Sequence, residues 1–150
     1  MNGGSGIWCE ESSVNLENCT FYSHGGMGST VHLEGSAELL SQNTIISFTD
    51  YGGAVHCDGA STATLTCCDV FGNVGGDWVG CIADQYGANG NISEDPGFCD
   101  APQGDYHLWN YSPCAPEFNP DCGLIGAWAV GCWGTAAERT TWGGLKALFR

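Results

Sequence analysis

A five-residue pattern returns at constant spacing: GIWCE at 6–10, TVHLE at 30–34 and AVHCD at 54–58, each 24 residues after the last. Overlaid at that interval, Gly4, Gly28 and Gly52 coincide, as do Ile7, Val31 and Val55. So do Trp8, His32 and His56, then Cys9, Leu33 and Cys57, then Glu10, Glu34 and Asp58. A second anchor follows each block, NCTF at 18–21, NTII at 43–46 and CCDV at 67–70, with one residue of slack that a turn absorbs. A fixed period in this range marks a solenoid, whose units stack to bury a shared core. Short alternating runs bounded by Gly, Ser, Asn and Asp predict strands, and no helical stripe interrupts them. Short strands at a constant interval stack like upon like, about 4.8 Å apart. The expected fold is all-β: a parallel β-helix of about three coils, followed by a loop-rich, cysteine-rich region.

Alternation along a strand decides which columns face inward. With Ile7 inward, Cys9 is inward and Trp8 outward, so the interior ladders are Ile7/Val31/Val55 and Cys9/Leu33/Cys57. Cys9 and Cys57 then lie two coils apart, about 9.6 Å on that stacking, which is beyond the reach of a disulfide. Both read as small buried hydrophobes. Of the ten cysteines, Cys81, Cys99, Cys114, Cys122 and Cys132 fall in the second half, where crosslinks would replace a core and imply an extracellular setting. No C-x-x-C pair occurs, which argues against a zinc site.

The blocks GGSGIWCEESSVNLENCTF and YGGAVHCDGASTATLTCCDVFGN resemble coils of right-handed parallel β-helix repeat proteins, the pectate-lyase-like superfamily. EDPGFCDAPQGDYHLWNYSPC at 94–114 is similar to the closing segment of many such proteins. The resemblance covers residues 3–132. It implies right-handed coils and a terminal coil or cap over 1–132, a connector and short tail over 133–150, and the C-terminal portion of a longer secreted protein. This scaffold carries lyases, hydrolases, adhesins and structural proteins alike, so function has to be argued from a site.

Charge narrows the choice. Arg139, Lys146 and Arg150 are the only basic charged residues against 17 Asp and Glu, for a net charge of −14. Binding to phosphate backbones needs Lys or Arg, so nucleic acid is excluded as a partner. Acidic polysaccharides are repelled unless a divalent cation bridges them. Lyases of the resembled family commonly use an Arg or Lys base with Ca²⁺ as electrophile, and no such base stands on these coils. Hydrolases use paired carboxylates. Asp50, Asp58, Asp69 and Asp77 qualify by residue type alone, and no catalytic residue is assigned.

The outward columns suggest binding. Trp8, His32 and His56 form one, and Glu10, Glu34 and Asp58 a second on the same face. Carboxylates about 4.8 Å apart repel one another and require a cation, a protonated histidine or solvation. The face suits a neutral glycan, with a ring stacked on the sugar and carboxylates bonding its hydroxyls. Alternatively, Glu10, Glu34 and Asp58 hold a divalent ion such as Ca²⁺ beside the histidines. The simpler account is that the repeat copies polar outward positions with no ligand at all.

The expected function is a non-catalytic secreted or cell-surface module with a glycan-binding or interaction surface. The alternatives are a fragment of a polysaccharide-degrading enzyme whose active site lies on other coils, and a structural stalk. No apolar run reaches the roughly 18 residues of a membrane span. His24 reads as a solvated turn residue, His107 as a half-exposed structural one, and 75–91 as a Gly-rich loop. Sequons fall at Asn18, Asn91 and Asn110. Leu145, Leu148 and Phe149 align on one face of a single helical turn in the tail.

Overall fold

The computed structural model describes residues 5–24 and 28–134. Each repeat supplies three short strands: β1 (Ile7–Glu10), β2 (Ser13–Glu17) and β3 (Thr20–Tyr22), then β4 (Val31–Glu34), β5 (Glu38–Gln42) and β6 (Ile45–Ser47), then β7 (Val55–Cys57), β8 (Thr62–Thr66) and β9 (Asp69–Phe71). They form three parallel sheets, β1-β4-β7, β2-β5-β8 and β3-β6-β9. Ile7 pairs with Val31 and Val31 with Val55; Trp8, His32 and His56 lie in register, as do Cys9, Leu33 and Cys57. The expected parallel β-helix is therefore the fold. Its extent differs slightly from expectation, about five turns against about three coils, with three strands in each of the parallel sheets.

Between the second and third strands of each coil the chain turns on one left-handed residue: Asn18 (φ 50), Asn43 (φ 50) and Cys67 (φ 52). Asparagine tolerates this conformation; cysteine does not favour it. Inside the coils, Leu33, Leu39, Ile46, Leu65 and Val70 are completely buried. Buried apolar columns and backbone bonds between coils together hold the stack.

The last complete coil is closed by the segment read as a Gly-rich loop. It contains a 3₁₀ helix, Gly80–Gln85, whose Ile82 plugs the core with no exposure. Gln85 Nε2 donates to the Ala63 carbonyl at 2.8 Å and its Oε1 accepts from Leu65 N–H at 2.8 Å. Asn91 likewise accepts from Cys68 N–H and donates to the Leu65 carbonyl. Side-chain amides thus substitute for the missing strand beside β8, satisfying an edge that would otherwise be open. Cys57, expected as a free buried thiol, is disulfide-bonded to Cys81 (Cα–Cα 6.0 Å, separation 24). Its neighbour on the far side is Cys81, one repeat interval later and within reach. Cys9 does remain a buried free thiol.

The cysteine-rich region lies alongside the solenoid. Strands β10 (Phe98–Asp100), β11 (Asp105–Trp109) and β12 (Val130–Cys132) form a separate sheet in the order β10-β11-β12, antiparallel then parallel. This lobe folds back over the third sheet, where the Tyr22 ring meets those of Phe98 (5.7 Å) and Tyr106 (5.4 Å). A second core of Ile45, Leu108, Cys114 and Ile125 fills the junction. The segment 122–127 runs down the turns from the third coil to the first. Cys67 is bonded to Cys122, Asn43 Nδ2 donates to the carbonyls of Cys122 and Leu124, and Asn18 Nδ2 donates to those of Leu124 and Gly126. Cys99–Cys132 closes the lobe. Cys114, expected as a crosslinking residue, is instead free and buried.

Gly4 and the tail residues Leu145, Leu148 and Phe149 lie outside the described residues. No helix among the described residues is long and apolar enough to cross a membrane.

Candidate functional site

The first sheet sets Trp8, His32 and His56 side by side because they share a register on β1, β4 and β7. The rings of Trp8 and His32 stack at 4.0 Å and 13°, and those of His32 and His56 at 4.6 Å and 27°. These separations are close to the spacing between coils, so the ring faces point along the solenoid axis. His32 is covered on both faces by its neighbours, whereas Trp8 is 58% exposed.

The flanking acids are committed unevenly. Glu34 Oε1 lies 2.9 Å from His32 Nε2. Asp58 Oδ2 accepts from Gly35 N–H at 2.8 Å, and its Oδ1 accepts from the N–H groups of Ala60 and Ser61. The Ser61 hydroxyl, then these amides, hold its carboxyl down at about 2. Glu10 is exposed. Imidazole and backbone amides therefore relieve the expected carboxylate repulsion. Among the described residues no group of three or more His, Cys, Asp or Glu could hold a metal ion, so Glu10, Glu34 and Asp58 are in column without forming an ion cage.

A second outward face emerges on the middle sheet. The columns Asn15/Leu40/Thr64 and Glu17/Gln42/Thr66 lie in register and line a shallow cleft of about 300 Å³. Leu40 is 45% exposed at its centre. The side chains of Asn15, Glu17, Gln42, Thr64 and Thr66 make no hydrogen bond among the described residues. Their alternation in SVNLE, ELLSQ and TATLT was a readable signal that sequence reasoning passed over.

The four aspartates singled out by type have separate fates. Asp50 accepts from the Ser23 hydroxyl at 3.0 Å, and Asp58 caps its turn. Asp77 accepts from the N–H groups of Gly72 and Asn73 and from Asn73 Nδ2, pinning a loop. Asp69 starts β9 and is completely buried beneath the lobe. Its Oδ1 accepts from Glu94 N–H at 3.1 Å, and the Cys114 thiol donates to Oδ2 at 3.1 Å. Burial pushes its carboxyl up to about 7, with the charges of Glu94 and Asp95 adding to the rise. Burial and the neighbouring Asp69 also drive the Cys114 thiol upward. In CCDVFGN, Asp69 belongs to the strand, and the chain turns after it at Asn73 and the left-handed Gly72 (φ 72).

His107 is half-buried, as expected, with Nδ1 2.7 Å from Asp105 Oδ1 and its ring 5.2 Å from that of Trp128. His24 is half-buried rather than solvated, 5.6 Å from the Phe21 ring. All three sequon asparagines have structural roles: Asn18 holds the 122–127 segment, Asn91 is buried against β8, and Asn110 Oδ1 accepts from Gly134 N–H.

The fold defines a disulfide-bonded parallel β-solenoid. Comparison with protein-family models, curated proteins and solved structures finds no match.

Proposed function

We propose that the chain is a non-catalytic, secreted or cell-surface β-helix module of the pectate-lyase-like type, which binds neutral glycan through its outward faces. The observation that carries this reading is Trp8: an indole 58% exposed in a stacked ring column on the outward face of the first sheet, with Glu10 two residues along the same face. A sugar ring presents an apolar C–H face to such an indole and hydroxyls to a neighbouring carboxylate. The uncommitted amides, hydroxyls and carboxylate of the middle sheet offer a second set of partners for hydroxyls. The surplus of negative charge favours an uncharged ligand over uronate or phosphate polymers. Three disulfides support an oxidising, extracellular compartment.

The test is a calorimetric titration with cello-, xylo- and manno-oligosaccharides, comparing the parent with Trp8→Ala and with Gln42→Ala/Thr64→Ala. Binding lost in either variant, with thermal stability retained, would support the reading. Absence of binding to every neutral oligosaccharide in the panel would overturn it for those ligands and favour the structural-stalk alternative.

A further inference from the structure

Between residues 92–95 and the turn at 111–119, the lobe leaves an open cleft of about 640 Å³, distant in role from both outward sheet faces. That volume suits a small organic group. Its walls combine two chemistries. Phe118, 55% exposed, Tyr111 and Pro113 supply apolar and π surface, while Glu94, Asp95 and Asn119 supply oxygen. The Glu94 carboxylate is exposed and accepts no hydrogen bond among the described residues. Asp95 Oδ1 accepts from Gly97 N–H at 2.9 Å, which fixes that carboxylate at the wall.

The local field is strongly negative. No Lys or Arg stands among the described residues, and behind the wall Asp69 shares a backbone contact with Glu94. The charges of Glu94 and Asp95 oppose ionisation of Asp69, a sign of that same field. A concave acidic surface concentrates cations, but the type of cation is set by the rest of the lining. A metal ion would want three or more hard ligands, and no such group is present among the described residues. Aromatic faces add nothing for a hydrated metal, yet they attract an alkylammonium or guanidinium group.

We propose that this cleft binds an organic cation, an ammonium or guanidinium group seated against Phe118 and Tyr111 and neutralised by Glu94 and Asp95. The same chemistry is offered by a free polyamine and by a Lys or Arg side chain of a protein partner.

The experiment is an NMR titration of the isotope-labelled protein at low salt with spermidine, with N-acetyl-arginine amide and with CaCl₂. It is repeated on Glu94→Gln, on Phe118→Ala and on the control Glu17→Gln, which lies on the middle sheet. Glu94 and Phe118 are exposed, and retained amide dispersion verifies folding of each variant. Expected are shifts concentrated in 92–95 and 111–119, with an affinity about fivefold weaker in Glu94→Gln and in Phe118→Ala and unchanged in Glu17→Gln. Tighter binding of spermidine would point to a polyamine, and tighter binding of the arginine amide to a protein side chain. Shifts spread evenly over the acidic surface, or an affinity indifferent to Phe118→Ala, would reduce the effect to counterion condensation and overturn the proposal. So would Ca²⁺ binding in the cleft as tightly as either organic cation.

Discussion

Replacing Asp69 with Asn should stabilise the protein at neutral pH, and the gain should vanish in acid. In the native state the carboxyl is enclosed by β9, the 92–95 segment and the lobe, and faces the Cys114 thiol, Glu94 and Asp95. Its folded pKa is about 7 against an ordinary value of 3.8. A raised acid contributes stability fully below its unfolded pKa and loses it as pH rises toward the folded value. Below about pH 4 the side chain is neutral in both states, so parent and variant differ only by their hydrogen bonds. From there to about pH 7 the unfolded chain ionises while the native one resists, at about 1.4 kcal/mol per pH unit. Over three units the parent loses about 4 kcal/mol relative to Asp69→Asn, and the difference is constant above pH 7. Asparagine retains an acceptor for Glu94 N–H and carries no charge to bury. Urea midpoints of both proteins at pH 3.5, 5.5 and 8, with disulfides intact, read the effect directly. A stability difference that does not change across these pH values would show that Asp69 is not held neutral by burial.

Leu33 fills the centre of the column between Cys9 and Cys57 with no exposure; Leu33→Ala should cost about 2–5 kcal/mol, and Leu33→Asp should unfold the coils by burying an unpaired charge. Circular dichroism melts check both, and an unchanged midpoint for Leu33→Asp would refute the inward assignment. Gln85→Ala should cost about 2 kcal/mol by orphaning Leu65 N–H and the Ala63 carbonyl at the closed end, with the exchange of the Leu65 amide accelerating first in hydrogen-exchange measurements. Alkylation in denaturant without reductant should label Cys9, Cys19, Cys68 and Cys114 and leave the remaining cysteines paired; peptide mapping that finds Cys57 or Cys122 labelled would contradict the crosslinks described.

The repeat alone determined the solenoid, its columns and their facing. The interval of 24 aligns Ile7, Val31 and Val55, and strand alternation then makes Trp8, His32 and His56 a common outward ladder; both are local periodicities that a chain carries openly. Even the Cys57–Cys81 bond was within that arithmetic, since it spans one more interval. Tertiary structure decided what covers each outward column. The first sheet leaves Trp8 open, while the third sheet receives the lobe, so Ile45 enters a second core and Asp69 becomes a buried acid facing Cys114. That docking joins residues 45 positions apart and is held by Asn18, Asn43 and Cys67 at the turns, none of which announces its partner in sequence. The cleft beside Phe118 exists for the same reason: its walls come from segments that meet only once the chain has folded back over its own coils.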